Sequence, residues 1–470
     1  MGSFHSAWRR SRAPAVAVPR LHGDAGCSVH GDSGRPAAGA ERRVTPGPIS
    51  AAPLWADATA SPPGSAEALP KQVDVLIVGA GYTGLSAARE TAAAGRSTLV
   101  LDSGEVGAGC SSRNGGQVAY SIKPSFDTLS AKFGAELAYG ICREGLDAVA
   151  DLRSLATQQF DCNWRADGCF FGAYTVRHFE RMAHDAQHQP RGLEQNISVV
   201  PRAEQHREIA SDFYHGGCVY HDDASVDPAR LLFALWRRAV DGGASVMDRC
   251  PVDAIQSAGD GFEVLTPRGV VRARQVLLAT NGYSGPLSPW HRRRVIPIGS
   301  YQIATEPLGR ERVRALIPHG RNIVDSRRVI VYFRPSADGE RIVFGGRTAA
   351  AERNPMVCVP PLQRMMESIF PQLQSVRVSH AWVGWVAYTF DTLPHLGCHQ
   401  GIHYCMGYCG QGVALAPYFG KRIGQQMLGL AEGRTALDGL PFPSRPYYRA
   451  NPWFLAPSVL IYRLMDAIGS

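Results

Sequence analysis

Lysine is nearly absent: Lys71, Lys123, Lys132 and Lys421 are the only four in 470 residues, and arginine carries the remaining basic charge. No apolar run reaches the roughly 18 residues that a spanning helix needs, so stable membrane insertion is not expected. The eleven cysteines contain no CxxC pair. Cys405 and Cys409 stand four apart without a second pair nearby, which argues against a metal site and for buried thiols in a reduced, cytoplasmic setting. The net charge of +8 comes without a basic run or a nucleic-acid motif, so nucleic acid is excluded as a partner. Half of that excess lies in residues 1–50, where seven arginines face Asp24, Asp32 and Glu41. Internal repeats are absent too, which rules out a solenoid.

What is present is 45% hydrophobic and 19% charged residues, the balance of a globular enzyme, in a chain long enough for two domains. Residues 1–70, rich in Ala, Pro, Gly and Arg, read as a disordered extension or linker. Arg9-Arg10-Ser11-Arg12 followed by APAVAVP leaves open a targeting segment or a misassigned start. Order begins at VDVLIV (73–78), a continuous apolar run with the β-branching of a buried parallel strand. A helix from Leu85 to Ala94, ended by Gly95, and a strand at 97–101 complete one βαβ unit. Asp227-Pro228 opens a further helix as N-cap and first helical residue, and 275–282 reads as another buried strand. Residues 289–384 alternate, as in YQIAT and VIVYFRP, which predicts an antiparallel sheet. Around 401–432 a strand, a Gly-rich turn and a helix return. The expected fold class is therefore α/β (α+β overall), with a discontinuous Rossmann-like domain at 71–162, 218–288 and 385–432. An inserted, mainly antiparallel β-sheet substrate domain takes 163–217 and 289–384, and 433–470 forms a C-terminal extension. Within it, 454–468 reads as a helix packed on its own domain; a membrane-touching or dimer-forming segment is the alternative.

GAGYTG (79–84) follows the first strand and opens the helix. Gly79 permits the turn, Gly81 lets backbone approach a pyrophosphate, and Gly84 allows close helix–strand packing. Asp102 ends the second strand 23 residues after Gly79, where a carboxylate binds ribose hydroxyls. This is dinucleotide binding, with NAD and FAD not yet separated. GAGCSSRNGGQV (107–118) then offers small residues whose backbone N–H groups can reach phosphate and ring atoms, with hydroxyl donors on Ser111 and Ser112. GYCGQGVALAP (407–417) is a strand-to-helix turn that aims amide hydrogens and a positive helix end at a developing anion.

With VYHDDASVDPARL (219–231), LLATNGY (277–283), YQIATEPL (301–308), YFRPSADGERIVFGGRT (332–348) and WVGWVAYTFDTLPHLG (382–397), these motifs resemble the FAD-dependent D-amino-acid oxidase and sarcosine oxidase superfamily. Within it the chain is most similar to γ-glutamylputrescine oxidase-type amine oxidases, over residues 50–468. The resemblance implies that Gly79, Gly81, Tyr82, Thr83, Gly84, Asp102, Ser103, Ser111, Ser112, Arg113, Asn114, Gly115, Gly116 and Gln117 line FAD. It extends the same role to Val252 at the adenine, Ala279, Thr280 and Asn281 at the dinucleotide turn, and Gly410, Gln411, Gly412 and Val413 at the flavin pyrimidine. It also implies a small-molecule amine whose C–N bond is oxidised by hydride transfer to flavin, with oxygen or an electron carrier as second substrate. A dehydrogenase or demethylase of N-methylated amino acids and a non-catalytic flavin-binding assembly protein are the alternatives, and an oligomer is possible.

Related amino-acid oxidases hold a substrate carboxylate by an arginine that aligns with Val386, and related sarcosine oxidases place a flavin-linking cysteine near the same position. The resemblance thus implies noncovalent FAD and disfavours a free α-amino acid clamped beside the flavin. Candidate substrate-side residues are Trp385, Tyr388, Gln411, Tyr332 and Arg334, among the aromatics Trp382 and Tyr408; Lys123 is a candidate charge for oxygen activation, and Cys110 and Cys409 are taken as inert thiols. His395 is taken as structural. If Val386 borders the amine, Val386→Arg impairs amine oxidation, which steady-state turnover with an amine substrate measures; unchanged turnover would remove Val386 from the pocket.

Overall fold

The computed structural model describes residues 48–64, 67–120, 122–348 and 353–467. Gln72–Val78 lies at the centre of a parallel sheet, between Gly269–Leu278 and Thr98–Leu101. Ile402–Met406 and Ser245–Met247 extend it, both in parallel. Leu76, Ile77, Leu99 and Val100 are fully buried because both faces are covered, and this is why the strands read as unbroken apolar runs. Helices Tyr82–Ala93, Ala135–Gln158, Pro228–Asp241 and Gly412–Met427 supply one layer. On the other face, Phe262 and Val264 of an antiparallel hairpin join Val271 and Leu278. Asp227 caps its helix as expected, its Oδ1 accepting from the N–H groups of Ala229 at 2.9 Å and Arg230 at 3.0 Å. Gly95 follows the first helix at φ +78°, a conformation that suits glycine.

A second sheet of eight strands runs in the order Val378–Tyr388, Ile296–Thr305, Ile342–Gly346, Val331–Pro335, Asn322–Asp325, Cys169–Gly172, Gly217–Tyr220, Ile197–Val200. Every neighbouring pair is antiparallel except Asn322–Asp325 with Cys169–Gly172. Alternation gives its two faces opposite characters. Tyr301, Ile303, Val331, Phe333, Ile342, Phe344 and Ala381 form an apolar core with Leu362, Met366 and Ile369 of the helix Val359–Ile369. The intervening residues Ser300, Gln302, Tyr332, Arg334 and Trp382 turn to the other side, toward the loop at 107–117.

Two domain boundaries and the reading of residues 1–70 need correction. Gly217–Tyr220 and the whole of Val378–Tyr388 pair within the second sheet, past the boundaries set at 217 and 384, because the alternating pattern continues to the end of each strand. The extension placed at 1–70 is ordered where it is described; residues 1–47 lie outside the described residues. The Ser50 N–H donates to Ser379 O at 2.9 Å and Ser50 O accepts from Ala381 N at 2.8 Å. Trp55, 3% exposed, meets Trp382 edge-on at 5.7 Å. A lone bridge and one tryptophan leave no periodicity to read. The C-terminal segment is tied to the body as well: the Tyr448 hydroxyl donates to Val295 O at 2.8 Å, and Asp466 accepts from the N–H groups of Arg328 and Val329. Among the described residues, no helix is long and apolar enough to cross a membrane.

Asp223 carries a testable cost. It is buried, and loss of water, with Asp222 nearby, pushes its carboxyl up to about 7 despite a hydrogen bond from the Tyr120 N–H. The folded state therefore holds this proton more tightly than the unfolded chain does. Stability from this group falls as pH rises from about 4 to about 7, by at most about 4 kcal/mol. Asp223→Asn raises the melting temperature at pH 8, and the advantage vanishes near pH 4; thermal melts at the two pH values measure it.

Candidate functional site

A cavity of about 510 Å³ opens at the carboxyl ends of the parallel strands, where Val78, Leu101 and Leu278 give way to turns. Its size is that of a cofactor site. Gly79, Gly81, Tyr82 and Thr83 line it from the first turn, Asp102 and Ser103 from the second strand's end, and Ser111 and Asn114 from the glycine-rich loop. Val252, Ala279, Thr280, Asn281, Gly410, Gly412 and Val413 complete the expected set that reaches it. Tyr283 lines it too and was missed by sequence; it closes LLATNGY, and its hydroxyl accepts from Trp385 N at 3.3 Å.

Close approach is built into the first turn. Gly79 has φ +110°, and a Cβ on Gly84 would sit 1.9 Å from Gly79 O, so the helix can lie on the strand only with glycine there. A Cβ on Gly81 would sit 2.9 Å from Ser111 Oγ, which instead accepts the Tyr82 N–H at 3.1 Å and caps the helix from another segment. Asp102 accepts from Ala80 N at 2.8 Å and Gly104 N at 3.0 Å, one on each carboxylate oxygen. Lone pairs remain on both for ribose hydroxyls. Burial is the main influence on this carboxyl and raises its pKa.

The remaining expected residues act around the cavity rather than in its lining. Ser112 is buried and its hydroxyl donates to Gly107 O, closing the loop on itself. Asn114 does similar work: its Nδ2 donates to Ser111 O at 2.8 Å and its Oδ1 accepts from Gly116 N at 2.8 Å. Gly116 sits at φ +68°, where a Cβ would be 2.2 Å from Val226 O. The loop is tethered to the second sheet by Gln302 Nε2 and Trp382 Nε1, both donating to Arg113 O, at 2.7 and 3.1 Å. Gln117 donates to Phe333 O at 3.3 Å. Arg113 itself donates to Ala108 O at 2.9 Å. Gln302 Oε1, buried beside Gly115, has no hydrogen-bond partner among the described residues.

Among the substrate-side candidates, Tyr332 faces this loop at Gly115 and Tyr388 faces the turn at Gly410. The Tyr332 hydroxyl lies 2.7 Å from Ser300 Oγ, and burial raises its pKa to about 12. The Tyr388 hydroxyl stands 3.6 Å from where a Gly410 Cβ would be. Trp385 is displaced: Gly384 contacts Cys110 and Arg113 and Val386 reaches the cavity, so alternation turns Trp385 to the opposite side of its strand. Arg334 is also not at the cavity. It is 3% exposed, and it donates to Gly115 O at 2.7 Å and to Val226 O at 2.9 Å. Sequence reasoning missed Ser300, Gln302 and also Arg347, whose Nη2 donates to the Tyr388 hydroxyl; alternation along each strand was the available signal.

At the other end, Gln411 is the N-cap of Gly412–Met427, which has no side-chain cap, so the helix presents bare N–H groups beside the cavity-lining Gly410 and Gly412. Thr83 Oγ1 and the Tyr408 hydroxyl share a hydrogen bond of 2.6 Å, and Gly407 N donates to Asn281 Oδ1 at 2.9 Å. The three turns around the cavity are thereby joined. The Cys110 thiol is held protonated, its pKa raised by burial to about 12, and burial raises Cys409 as well. His395 Nε2 donates to Asp391 Oδ1 at 3.0 Å while the ring stacks on Phe442, a structural position.

A glycine-lined cavity of this size, a carboxylate at the ribose position and an uncapped helix end fit a dinucleotide cofactor. The family described as FAD dependent oxidoreductase (DAO) matches residues 74–426. The γ-glutamylputrescine oxidoreductase of Escherichia coli is 30% identical over 408 residues, 84% of this chain and 93% of that protein. A probable oxidoreductase, OrdL, of Haemophilus influenzae is 30% identical over 386 residues, 80% of this chain and 87% of that one. In fold, the chain is similar to glycine oxidase from Geobacillus kaustophilus, with TM-score 0.68 at 20% identity, covering 80% of this chain and 100% of that one.

The tether separates two roles for Arg334. Arg334→Met leaves two buried carbonyls without a donor and costs about 2–4 kcal/mol, read as a lower melting temperature of the flavin-loaded protein. A substrate contact would instead raise KM at an unchanged melting temperature.

Proposed function

The chain belongs to the DAO family of FAD-dependent oxidoreductases, and from that premise we propose that it oxidises the C–N bond of an amine, a γ-glutamylputrescine-like or related compound. The FAD is noncovalent, and oxygen or an electron carrier accepts its electrons. The observation that carries this reading is the juxtaposition of the cavity with the polar face of the second sheet. The residues of the dinucleotide fingerprint hold one end of a cofactor. Ser300, Tyr332 and Tyr388 border the loops at the other.

When bound, FAD supplies the two-electron acceptor. The protein's own contributions are positional. Gly107–Val118, tied down by Gln302, Trp382 and Arg334, brings backbone rather than side chains against the cofactor. The bare N-terminus of Gly412–Met427 favours negative charge beside Gly410. Tyr332 and Tyr388 give the amine an aromatic, low-dielectric surround, which favours its neutral, reactive form. Val386, packed with Ile296 and Ile298, keeps this wall apolar. Cys110 and Cys409 are buried thiols held protonated, which supports a flavin without a thioether link.

Anaerobic titration of the purified yellow protein with a panel of amines tests the proposal. Bleaching of the flavin by γ-glutamylated or related amines, and release of free FAD on denaturation, are the expected results. Failure of every amine to bleach it would leave a binding role instead, and faster bleaching by N-methylated amino acids would reassign the substrate.

A further inference from the structure

The helix Leu455–Ala467, LAPSVLIYRLMDA, carries only two charged residues, Arg463 and Asp466. A surface helix ordinarily turns a polar side to water. Here the carboxylate is used inward: Asp466, 8% exposed, accepts from the N–H groups of Arg328 at 2.9 Å and Val329 at 3.1 Å. At the other end Leu455 is buried with Tyr448, Ile296 and Ile298, and Phe454 packs on the same cluster. Both ends are held to the body, so the outward face cannot roll inward. That face consists of Ala456, Pro457, Leu460 and Ile461, exposed positions that share one side at spacings of three and four. Leu460 is 60% exposed, and Trp453, one turn before Pro457, is 62% exposed. Tyr447, Ile461 and Tyr462 are exposed as well. Scattered exposed apolar side chains are ordinary, but five large ones in one short segment mark a contact surface.

Charge separates the occupants such a surface could take. From Pro441 to Ala467 the arginines are Arg445, Arg449 and Arg463, and the only carboxylate is the buried Asp466. Arg445 and Arg449 are exposed. The Arg445 guanidinium carbon lies 5.5 Å from the centre of the Phe390 ring, which meets Tyr448 at 5.5 Å. Tyr447 and Trp453 each stand 5.9 Å from Phe454. Arginines and aromatic rings thus rim an apolar stripe. Two copies joined by this surface about a two-fold axis would set the arginine-bearing patch against itself. Residues 1–47 would bring seven more arginines against three carboxylates. Both occupants add like charge. A bilayer with anionic headgroups has the opposite charge, and its interface accepts Trp and Tyr rings beside an apolar helix face.

We propose that Trp453 and the stripe Ala456, Pro457, Leu460 and Ile461, rimmed by Arg445 and Arg449, dock the protein on an anionic lipid surface. The helix lies in the plane of the interface; its 13 residues are too few to span a bilayer. Phe454 and Leu455 pack in the same cluster as Val386 and Tyr388, so the docked face backs onto the wall proposed for the amine.

Flotation of the flavin-loaded full chain with vesicles tests this, one set of phosphatidylcholine alone and one of equal parts phosphatidylcholine and phosphatidylglycerol. Partition onto the anionic vesicles should exceed that onto the neutral ones by at least about tenfold, since each arginine near an anionic surface contributes about fivefold. Salt at about 0.5 M should remove most of this preference. Leu460→Glu combined with Ile461→Glu should cut partition at least about tenfold at an unchanged melting temperature. Trp453→Ser, outside the helix, should cut it about three- to tenfold and keeps the test available if the paired substitution unfolds the helix. Arg445→Gln combined with Arg449→Gln should lower binding to anionic vesicles about tenfold and leave binding to neutral ones unchanged. An absence of preference for anionic vesicles overturns the proposal. Binding that survives all of these substitutions overturns it too, and would move the contact to another surface such as the arginines of residues 1–47. Sedimentation velocity without lipid gives the remaining outcome: a dimer dissociated by Leu460→Glu with Ile461→Glu would make this face a contact between two copies instead. None of these readouts uses turnover, so they stand whether or not an amine bleaches the flavin.

Discussion

The place of the loop from Gly107 to Val118 beside the cavity is set by side chains of another sheet. Asn114 and Ser112 fold parts of it locally. Its path past the second sheet, however, is fixed by Gln302 and Trp382 on Arg113 O and by Arg334 on Gly115 O. These donors are buried, so a broken bond leaves a polar group without water, which costs about 1–3 kcal/mol each time. The loop's position is thereby tied to the register of the second sheet.

A different constraint ties the two ends of the cavity together. A Cβ on Gly420 would sit 2.4 Å from Thr83 O, and one on Gly424 would sit 3.0 Å from Ala87 O. The helix Gly412–Met427 therefore rests directly on Tyr82–Ala93, backbone to backbone. Thr83, bonded to Tyr408, ties the turn that opens Tyr82–Ala93 to the turn that opens Gly412–Met427. The turns at Gly79–Gly84 and Gly407–Gly412, which border the cavity, thereby keep a fixed spacing.

The parallel half of the fold was legible because burial on both faces writes a continuous apolar run, as in VDVLIV. The turn at Gly79–Gly84 was legible because backbone packed this closely needs glycine, and Asp102 because it stands at the end of the second strand, beside that turn. Trp385 and Arg334 misled for one reason. Sequence shows that a strand alternates, but not which phase faces the cavity when both faces are buried. Trp385 is on the wrong phase, and Arg334, on the right one, is held by backbone carbonyls. Arg347 went unnoticed because it stands one residue past its strand and meets Tyr388 only across the intervening strand Ile296–Thr305. The ordered stretch at Ser50 and Trp55 was illegible because its partners, Ser379, Ala381 and Trp382, lie more than 300 residues away.

That stretch has a consequence for solubility. Val378–Tyr388 is the outermost strand of its sheet, eleven residues long and rich in Val, Ala, Trp and Tyr. An uncovered edge of this kind is a template for pairing with another chain. Ser50 occupies the hydrogen-bonding positions of Ser379 and Ala381, and Asp57 adds an ion pair to His380 at 3.0 Å. The segment before the first nucleotide-binding strand thus serves as an edge guard: it spends two backbone hydrogen bonds to keep this sheet from growing into its neighbours.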